Sequence, residues 1–159
     1  MAILNLFKTP VVPSDVIGYS VDTDVGYGRE SFTITVGAGV TVRVGTLLVL
    51  DYAAKTATVL AEPADAAAVA ALGDLGVFIG RDLPTNPATE QDFDRFTMTT
   101  TGKGVAEVKG DGSATLKKGY VLVNKTEFYD LPADVKAALV AKITKENRFK
   151  VIDQQRPTL

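Results

Sequence analysis

Residues 31–50 read SFTITVGAGVTVRVGTLLVL, and this stretch decides the fold class. Apolar residues alternate with Thr or Arg over 32–36 and again over 40–44, a pattern typical of half-buried β-strands. Because Gly-Ala-Gly separates the two runs, the pattern predicts a β-hairpin. After Gly45, the run 46–50 is continuously apolar and predicts a strand that is buried on both faces.

Short apolar runs continue toward the C-terminus at intervals of about ten residues. They predict further strands, which are 56–60, 76–80, 93–101, 105–109, 120–123 and 149–152. Turns are predicted where glycines cluster, at 102–104 and 110–112, and a polar loop with two prolines is predicted at 83–92. This density of short strands predicts a mainly β domain, built as a small barrel or sandwich.

Two helices are predicted within this β framework, which makes the class α+β. An Ala-rich segment at 63–72 predicts a short helix, and a longer helix is predicted to begin at Asp130 as N-cap and to end near Asn147. Its buried face is formed by residues four apart, which are Val135, Leu139 and Ile143. Its lysines predict a solvated face, and they are Lys136, Lys142 and Lys145.

Residues 1–28 differ from the rest, because they combine apolar side chains with helix-breaking Pro and Gly. We therefore divide the chain into an extended N-terminal arm at 1–28, a β-rich domain at 29–153 and a tail at 154–159. Disordered tails are poor in apolar residues, so this arm needs a surface to lie on. That surface is either its own domain or a neighbouring subunit, and the sequence leaves both open.

The composition excludes several kinds of chemistry. The chain has 159 residues and contains no His, Cys or Trp. It therefore has no disulfide, no thiolate nucleophile, no Ser-His-Asp triad and no metal site that needs His or Cys. The net charge of −2 argues against a nucleic-acid partner. The sequence predicts neither a membrane span nor a secretory signal.

The remaining polar motifs fit turns better than catalytic or metal sites. Residues 101–104 read TGKG, but a phosphate loop requires a helix to follow, whereas a strand is predicted there. Glu90, Asp92 and Asp94 lack the Gly and Glu that complete a calcium loop. Asp22 and Asp24 fit a turn. We therefore expect no catalytic residue, no cofactor and no metal, and we predict that the chain is not an enzyme.

The order of these motifs resembles the head decoration (cement) proteins of tailed bacteriophages, the group that includes the lambda head decoration protein. The resemblance rests on VGTLLVL at 44–50, TATVL at 56–60, GVFIG at 76–80 and GVAEV at 104–108, followed by a late helix and a last short strand. It implies a small β-tulip domain that binds the outside of the expanded capsid, as a homotrimer or alternatively as a homodimer. The protein would be made in the host cytoplasm and would end on the outer surface of the virion.

The resemblance also implies that the arm contacts the major capsid protein, where it adds a strand to the capsid protein's sheet. We expect the arm's apolar residues to make these contacts, and they are Ile3, Leu4, Leu6, Phe7, Val11 and Val12. Pro10 and Pro13 would limit where pairing can run. The alternatives are a virion fibre or tail component, or a carbohydrate-binding β-module that presents Tyr19, Tyr27 or Tyr129. An enzyme that uses carboxylates or lysines is a third class.

Overall fold

The computed structural model describes residues 11–18, 28–82, 95–108, 114–147 and 149–153. The helices in this part are α1 (Pro13–Val16), α2 (Ala66–Ala70) and α3 (Ala133–Glu146). The strands are β1 (Arg29–Thr35), β2 (Val42–Arg43), β3 (Leu47–Asp51), β4 (Thr56–Val59), β5 (Leu75–Arg81), β6 (Thr97–Met98), β7 (Gly102–Glu107), β8 (Thr115–Lys117), β9 (Leu122–Val123), β10 (Thr126–Glu127) and β11 (Lys150–Ile152). Single 3-10 turns occupy Lys118–Tyr120 and Phe128–Asp130.

Five of the strands close into a barrel in the order β1-β4-β3-β5-β7, with β7 returning to β1. The β1–β4 pair is parallel and the other four pairs are antiparallel. Three two-stranded sheets accompany the barrel, namely β2–β6, β8–β11 and β9–β10. The prediction of a mainly β protein with a small barrel and one C-terminal helix is confirmed.

The predicted hairpin between 32–36 and 40–44 is wrong. Strand β1 pairs with β4 on one side and with β7 on the other, so both of its edges are occupied. The chain turns away at Gly39, whose φ of 72° lies in the left-handed region that favours glycine. Strand β2 then pairs with β6 instead. The alternation of apolar residues identified the strand correctly but could not identify its partners.

The turn predicted at 102–104 is also wrong, because these residues lie inside β7. Gly104 is needed for packing and not for a turn. A Cβ atom at this position would overlap the Cδ1 atom of Ile34 and lie 2.9 Å from Cε2 of Phe78. Ile34 and Phe78 are fully buried, so the glycine lets β7 approach the largest side chains of the barrel core.

Both predicted helices exist, but their beginnings differ from the prediction. Helix α2 is shorter than 63–72, and Asp65 caps it by accepting a hydrogen bond from the Ala68 amide at 2.8 Å. Helix α3 begins after Pro132 and not at Asp130. Leu131 precedes a proline, which disfavours the helical region, and it is extended with ψ of 154°. Asp130 is thereby separated from the helix and ends a 3-10 turn.

The end and the buried face of α3 are confirmed. Val135, Leu139 and Ile143 are 0 to 3% exposed and pack in the core. Asn147 is the C-cap residue. Its Nδ2 also donates hydrogen bonds to the carbonyl oxygens of Leu75, at 2.6 Å, and Val108, at 2.8 Å. The helix is thus joined to the β5 and β7 side of the barrel.

The solvated lysine face predicted for α3 is wrong at one position. Lys142 is 9% exposed, and its Nζ donates to the Leu72 carbonyl oxygen at 3.0 Å and pairs with Glu146 at 2.9 Å. Its hydrocarbon chain is buried, and its ammonium group has both a hydrogen-bond acceptor and a carboxylate as partners. Lys145 is exposed as predicted, and Lys136 is half-buried.

Candidate functional site

The described part of the predicted arm, residues 11–18, lies against the domain, and we call it the root. It contains α1, in which Val16 is fully buried, and Ile17 beside it is 5% exposed. Ile17 bridges to Leu116 of β8, and the Gly18 amide donates to the Thr115 carbonyl oxygen at 2.7 Å. Of the two surfaces left open by the sequence, the root therefore uses its own domain.

The predicted capsid-binding residues divide into two groups. Val11 and Val12 are half-buried, and Val11 packs against the domain core. The other four, Ile3, Leu4, Leu6 and Phe7, lie outside the described residues. The structure therefore assigns part of the apolar surface of Val11 to folding.

The backbone around Val12 is already hydrogen-bonded within the root. The Val12 amide donates to Asp15 Oδ2 at 3.0 Å, and the Asp15 amide donates to the Val12 carbonyl oxygen at 2.9 Å. Pro13 has no N–H, and its carbonyl oxygen accepts from the Ile17 amide at 2.8 Å. Strand addition through Val12, Pro13 or Asp15 would break the cap of α1.

A pocket of about 340 Å³ opens beside the root, and we call it the arginine pocket. Three of its lining residues are arginines, and most of the others are apolar. It is lined by Pro13, Arg29, Ile79, Gly80, Arg81, Arg95, Phe96 and Val105. Because Pro13 belongs to α1, the pocket and the root form one continuous surface.

The barrel strands bring these residues together through a β-bulge. Phe78 pairs with Ala106 but Gly80 pairs with Val105, so Ile79 is the extra residue on β5. A bulge bends the strand and redirects its side chains. The φ of Gly80 is 157°, and a Cβ atom there would lie 3.3 Å from the Arg95 carbonyl oxygen. The glycine therefore allows the segment that carries Arg95 to approach β5 closely.

Arg29 is fixed at the pocket by a buried carboxylate. Its Nε lies 2.7 Å from Oε2 of Glu107, and the two residues are cross-strand partners in β1 and β7. The Glu107 side chain is fully buried and the Arg29 side chain is 18% exposed. Removing one member of such a pair leaves the other charge unpaired in a poorly solvated place. The Glu107 carboxylate thus offsets the charge of Arg29 beside the pocket.

A second, larger groove of about 860 Å³ runs along α3, and we call it the helix groove. Its lining includes Tyr129, Val140, Lys118 and Asp153. Lys118 Nζ lies 2.9 Å from Asp153 Oδ1, and this hydrogen bond and the charge of Lys118 lower the pKa of Asp153 below its ordinary 3.8. Burial and the nearby Asp153 raise the pKa of Tyr129.

Of the three tyrosines proposed as a glycan platform, the structure describes Tyr129 alone. Tyr129 is half-buried and meets Phe128 edge to face, with ring centroids 6.1 Å apart at 84°. Tyr19 and Tyr27 lie outside the described residues. A glycan platform would need exposed aromatic faces in one plane, and the described residues supply none at Tyr129.

The polar motifs weighed in the sequence do not form a metal or phosphate site within the described residues. No group of three acidic side chains there could hold a metal ion. Glu90, Asp92, Asp94, Asp22 and Asp24 lie outside these residues. The Gly and Lys residues of TGKG belong to β7, with no helix following as a phosphate loop would require. In the same part of the chain, no helix is long and apolar enough to cross a membrane.

No pattern in the sequence predicts the arginine pocket. Its arginines lie at positions 29, 81 and 95, at the start of one strand, at the end of another and before a third. No spacing rule links these positions. The pairing of Arg29 with Glu107 and of Arg81 with Gly104 on β7 places two of them, and this pairing follows from barrel closure.

Comparison of the chain with protein-family models, with curated proteins and with solved structures finds no match.

Proposed function

We propose that this protein is a structural decoration protein of a tailed-bacteriophage head. It binds the outer surface of the expanded capsid and stabilises the shell by bridging neighbouring major capsid subunits. It needs no cofactor and performs no catalysis. The observation that carries the proposal is the apolar segment before Pro10, which continues from a root anchored on β8 of a small barrel.

The anchored root supports a role for the arm in reaching a second subunit. Val16 and Ile17 fix the inner end of the arm on the domain. Ten residues can span at most about 35 Å when extended, which is long enough to cross to an adjacent subunit. Ile3, Leu4, Leu6 and Phe7 fall within this reach, and their burial against a partner would supply the apolar contact area that the arm requires.

The mode of contact is strand addition by the residues before Pro10. Main-chain hydrogen bonds would give affinity, and pockets for alternate side chains would give specificity. Self-association as a homotrimer, or alternatively as a homodimer, would hold several arms at high effective concentration. Weak single-arm contacts would then add up to firm binding of the shell.

The experiment compares two truncations at opposite ends of the chain. One lacks residues 2–10 and keeps the root, and the control lacks residues 154–159. Each is mixed with expanded heads of the virus that encodes the chain, after these have been stripped of the protein, and with unexpanded heads. Co-sedimentation gives the affinity for heads. Thermal unfolding of each truncated protein checks that its domain is still folded.

We expect the full chain and the C-terminal truncation to bind expanded heads equally and unexpanded heads weakly. The N-terminal truncation should lose at least tenfold in affinity while its unfolding temperature stays unchanged. Binding of expanded heads by the N-terminal truncation with full affinity would overturn the role of the arm. Glycan binding by a protein that has no affinity for heads would replace the proposal with the carbohydrate-module alternative.

A further inference from the structure

We propose that the helix groove binds an extended apolar segment that carries two carboxylates, supplied by a capsid subunit next to the one that the arm contacts. The inference rests on the proposed function, because a protein that bridges two subunits needs a contact on each of them, and the arm provides one. The groove is a separate surface, since its lining comes from α3, from residues 128–129 and from Lys118 and Asp153.

The apolar lining of the groove is the first reason. Helix α3 already buries one face in the domain core. The groove lies along another part of the helix surface, where Ala137 and Ala141 are exposed and Val140 is half-buried. Covering such apolar surface is favourable, and a volume of about 860 Å³ lies in the range of about 300–1,000 Å³ typical of binding clefts. The groove can therefore receive several side chains of a partner.

Charge is the second reason. Four charged residues line the groove, and two of them, Lys118 and Asp153, pair with each other at 2.9 Å. The Nζ of Lys136 donates to the Tyr129 carbonyl oxygen at 3.3 Å, which occupies a donor without neutralising the charge. Among the described residues, no ion pair joins Lys136 or Lys145 to a carboxylate. The lining therefore carries two positive charges in excess, and two carboxylates on a partner would complement them.

The spacing of the two lysines is the third reason. Lys136 and Lys145 are nine residues apart on α3, which is about 13.5 Å along the axis and about two and a half turns. They therefore lie on opposite sides of the helix, and both line the groove. In an extended chain, residues four apart are separated by about 13 Å and point to the same face. Carboxylates at positions i and i+4, with an apolar residue at i+2, match both lysines and the apolar lining between them.

Other occupants fit the groove less well. Inorganic phosphate and the phosphates of a nucleic acid are anionic, but they have no apolar part to cover Val140. Helix α3 of a second copy would bring its own Lys136 and Lys145 to the groove, and like charges would oppose its docking. An apolar segment with two carboxylates meets both requirements.

The first test uses the isolated, full-length protein and does not involve heads. The probe is the blocked peptide acetyl-Glu-Ala-Leu-Ala-Glu-amide, and the controls are its Gln analogue and inorganic phosphate. Titrations are followed by NMR through the backbone amides of Ala137 and Val140, with Gly80 as a distant reporter. The variant is Lys145→Gln, because Lys145 is exposed. The matched variant is Lys125→Gln, which removes one exposed positive charge outside the groove lining.

We expect the Glu peptide to shift the amides of Ala137 and Val140 and to bind about tenfold more tightly than the Gln peptide or phosphate. Lys145→Gln should weaken this binding about threefold, as is typical of one exposed ion pair, and Lys125→Gln should leave it unchanged. Equal binding of the Gln peptide, equal binding of phosphate, shifts confined to Gly80, or no shift at millimolar peptide would overturn the inference.

The second test separates this inference from the proposed function. Ala137→Glu places a carboxylate and a longer side chain in the groove at an exposed helical position, and Ala70→Glu makes the same change at an exposed position of α2 outside the lining. Thermal unfolding checks that both variants are folded. We expect Ala137→Glu to weaken binding of expanded heads at least tenfold, and Ala70→Glu to have no effect.

The outcomes distinguish the two proposals. If Ala137→Glu binds heads normally while the truncation of residues 2–10 does not, the groove inference fails and the proposed function stands. If neither change affects head binding, both fail. Sedimentation equilibrium of the free protein tests the second copy as occupant. A smaller oligomer for Ala137→Glu than for Ala70→Glu would make the groove an interface between copies and would overturn the inference.

Discussion

The two ends of the described chain lie on opposite edges of the same short strand, β8. On one edge, Ile17 of the root bridges to Leu116, and the Gly18 amide donates to Thr115. On the other edge, β11 pairs in parallel over three residues, and the Lys150 amide donates to the Ala114 carbonyl oxygen at 2.8 Å. The N-terminal and C-terminal extensions therefore both continue from backbone that is hydrogen-bonded to β8 or its flanking residue.

The sequences that continue beyond these two anchors differ. Residues 1–10 read MAILNLFKTP and are largely apolar, whereas residues 154–159 read QQRPTL and are largely polar. Water already solvates a polar extension well, but an apolar one gains free energy by covering a surface. The comparison indicates that the anchors serve folding at both ends, and that only the N-terminal extension has the chemistry of a binding segment.

The largest expected effect is on the C-terminal anchor. Phe149 is 2% exposed and precedes β11, so Phe149→Ala should lower the free energy of unfolding by about 3–5 kcal/mol. Val16 is the matched residue of the root, and Val16→Ala should cost about 2 kcal/mol, because it removes fewer buried methyl groups. Urea denaturation measures both. A larger loss for Val16→Ala than for Phe149→Ala would mean that the root contributes more to the free energy of unfolding than the C-terminal anchor does.

The packing of the root against the domain depends on one glycine, Gly45. Gly45 has a φ of 100°, and a Cβ atom there would overlap the Tyr120 carbonyl oxygen and lie 3.2 Å from Cγ2 of Val16. Gly45→Ala should therefore cost about 3 kcal/mol, through left-handed strain together with overpacking. Gly39 also has positive φ but has open space around it, so Gly39→Ala should cost about 1 kcal/mol. Equal losses in urea denaturation would show that packing under the root is unimportant.

The smallest expected effect concerns pH at the C-terminal end. The hydrogen bond from Lys118, and secondarily its charge, lowers the pKa of Asp153 below 3.8 in the folded protein. Such a carboxylate stabilises the fold above the unfolded-state pKa, and this contribution is lost as the pH falls through the folded-state pKa. Lys118→Gln should raise the pKa of Asp153 toward 3.8, measured by NMR of its carboxyl carbon. An unchanged pKa would mean that the pair does not persist in solution.

Local patterns in the sequence predicted the five barrel strands and the two longer helices, but they missed α1, β8 and β10 and did not show which strands pair. Alternation at 32–36 indicated a strand because side chains on a strand alternate between two faces. The hairpin prediction failed because the pairing of β1 with β4 and β7 depends on contacts distant in the chain. The glycines at 102 and 104 predict a turn, yet Gly104 leaves room for Ile34 and Phe78 inside β7, and no local signal distinguishes the two roles.

The two candidate sites, the apolar arm and the arginine pocket, also differ in how far the sequence predicts them. The apolar arm was visible because it is one continuous stretch of sequence. The arginine pocket was not, because Arg29, Arg81 and Arg95 become neighbours through barrel closure and through the bulge at Ile79. The helix start was misplaced because Asp130 is a good N-cap residue by type, whereas Pro132 holds Leu131 extended and moves the start two residues on.

The most direct test of the proposed function is the thermal disruption of expanded heads as a function of added protein. A ligand that binds only the intact expanded shell stabilises it by RT ln(1 + [L]/Kd), which is about 4 kcal/mol per site at a thousandfold excess over Kd. The account predicts that the disruption temperature rises with the concentration of the full chain or of the chain without residues 154–159, and does not rise with the chain that lacks residues 2–10. A disruption temperature that is independent of the full-length protein would contradict it.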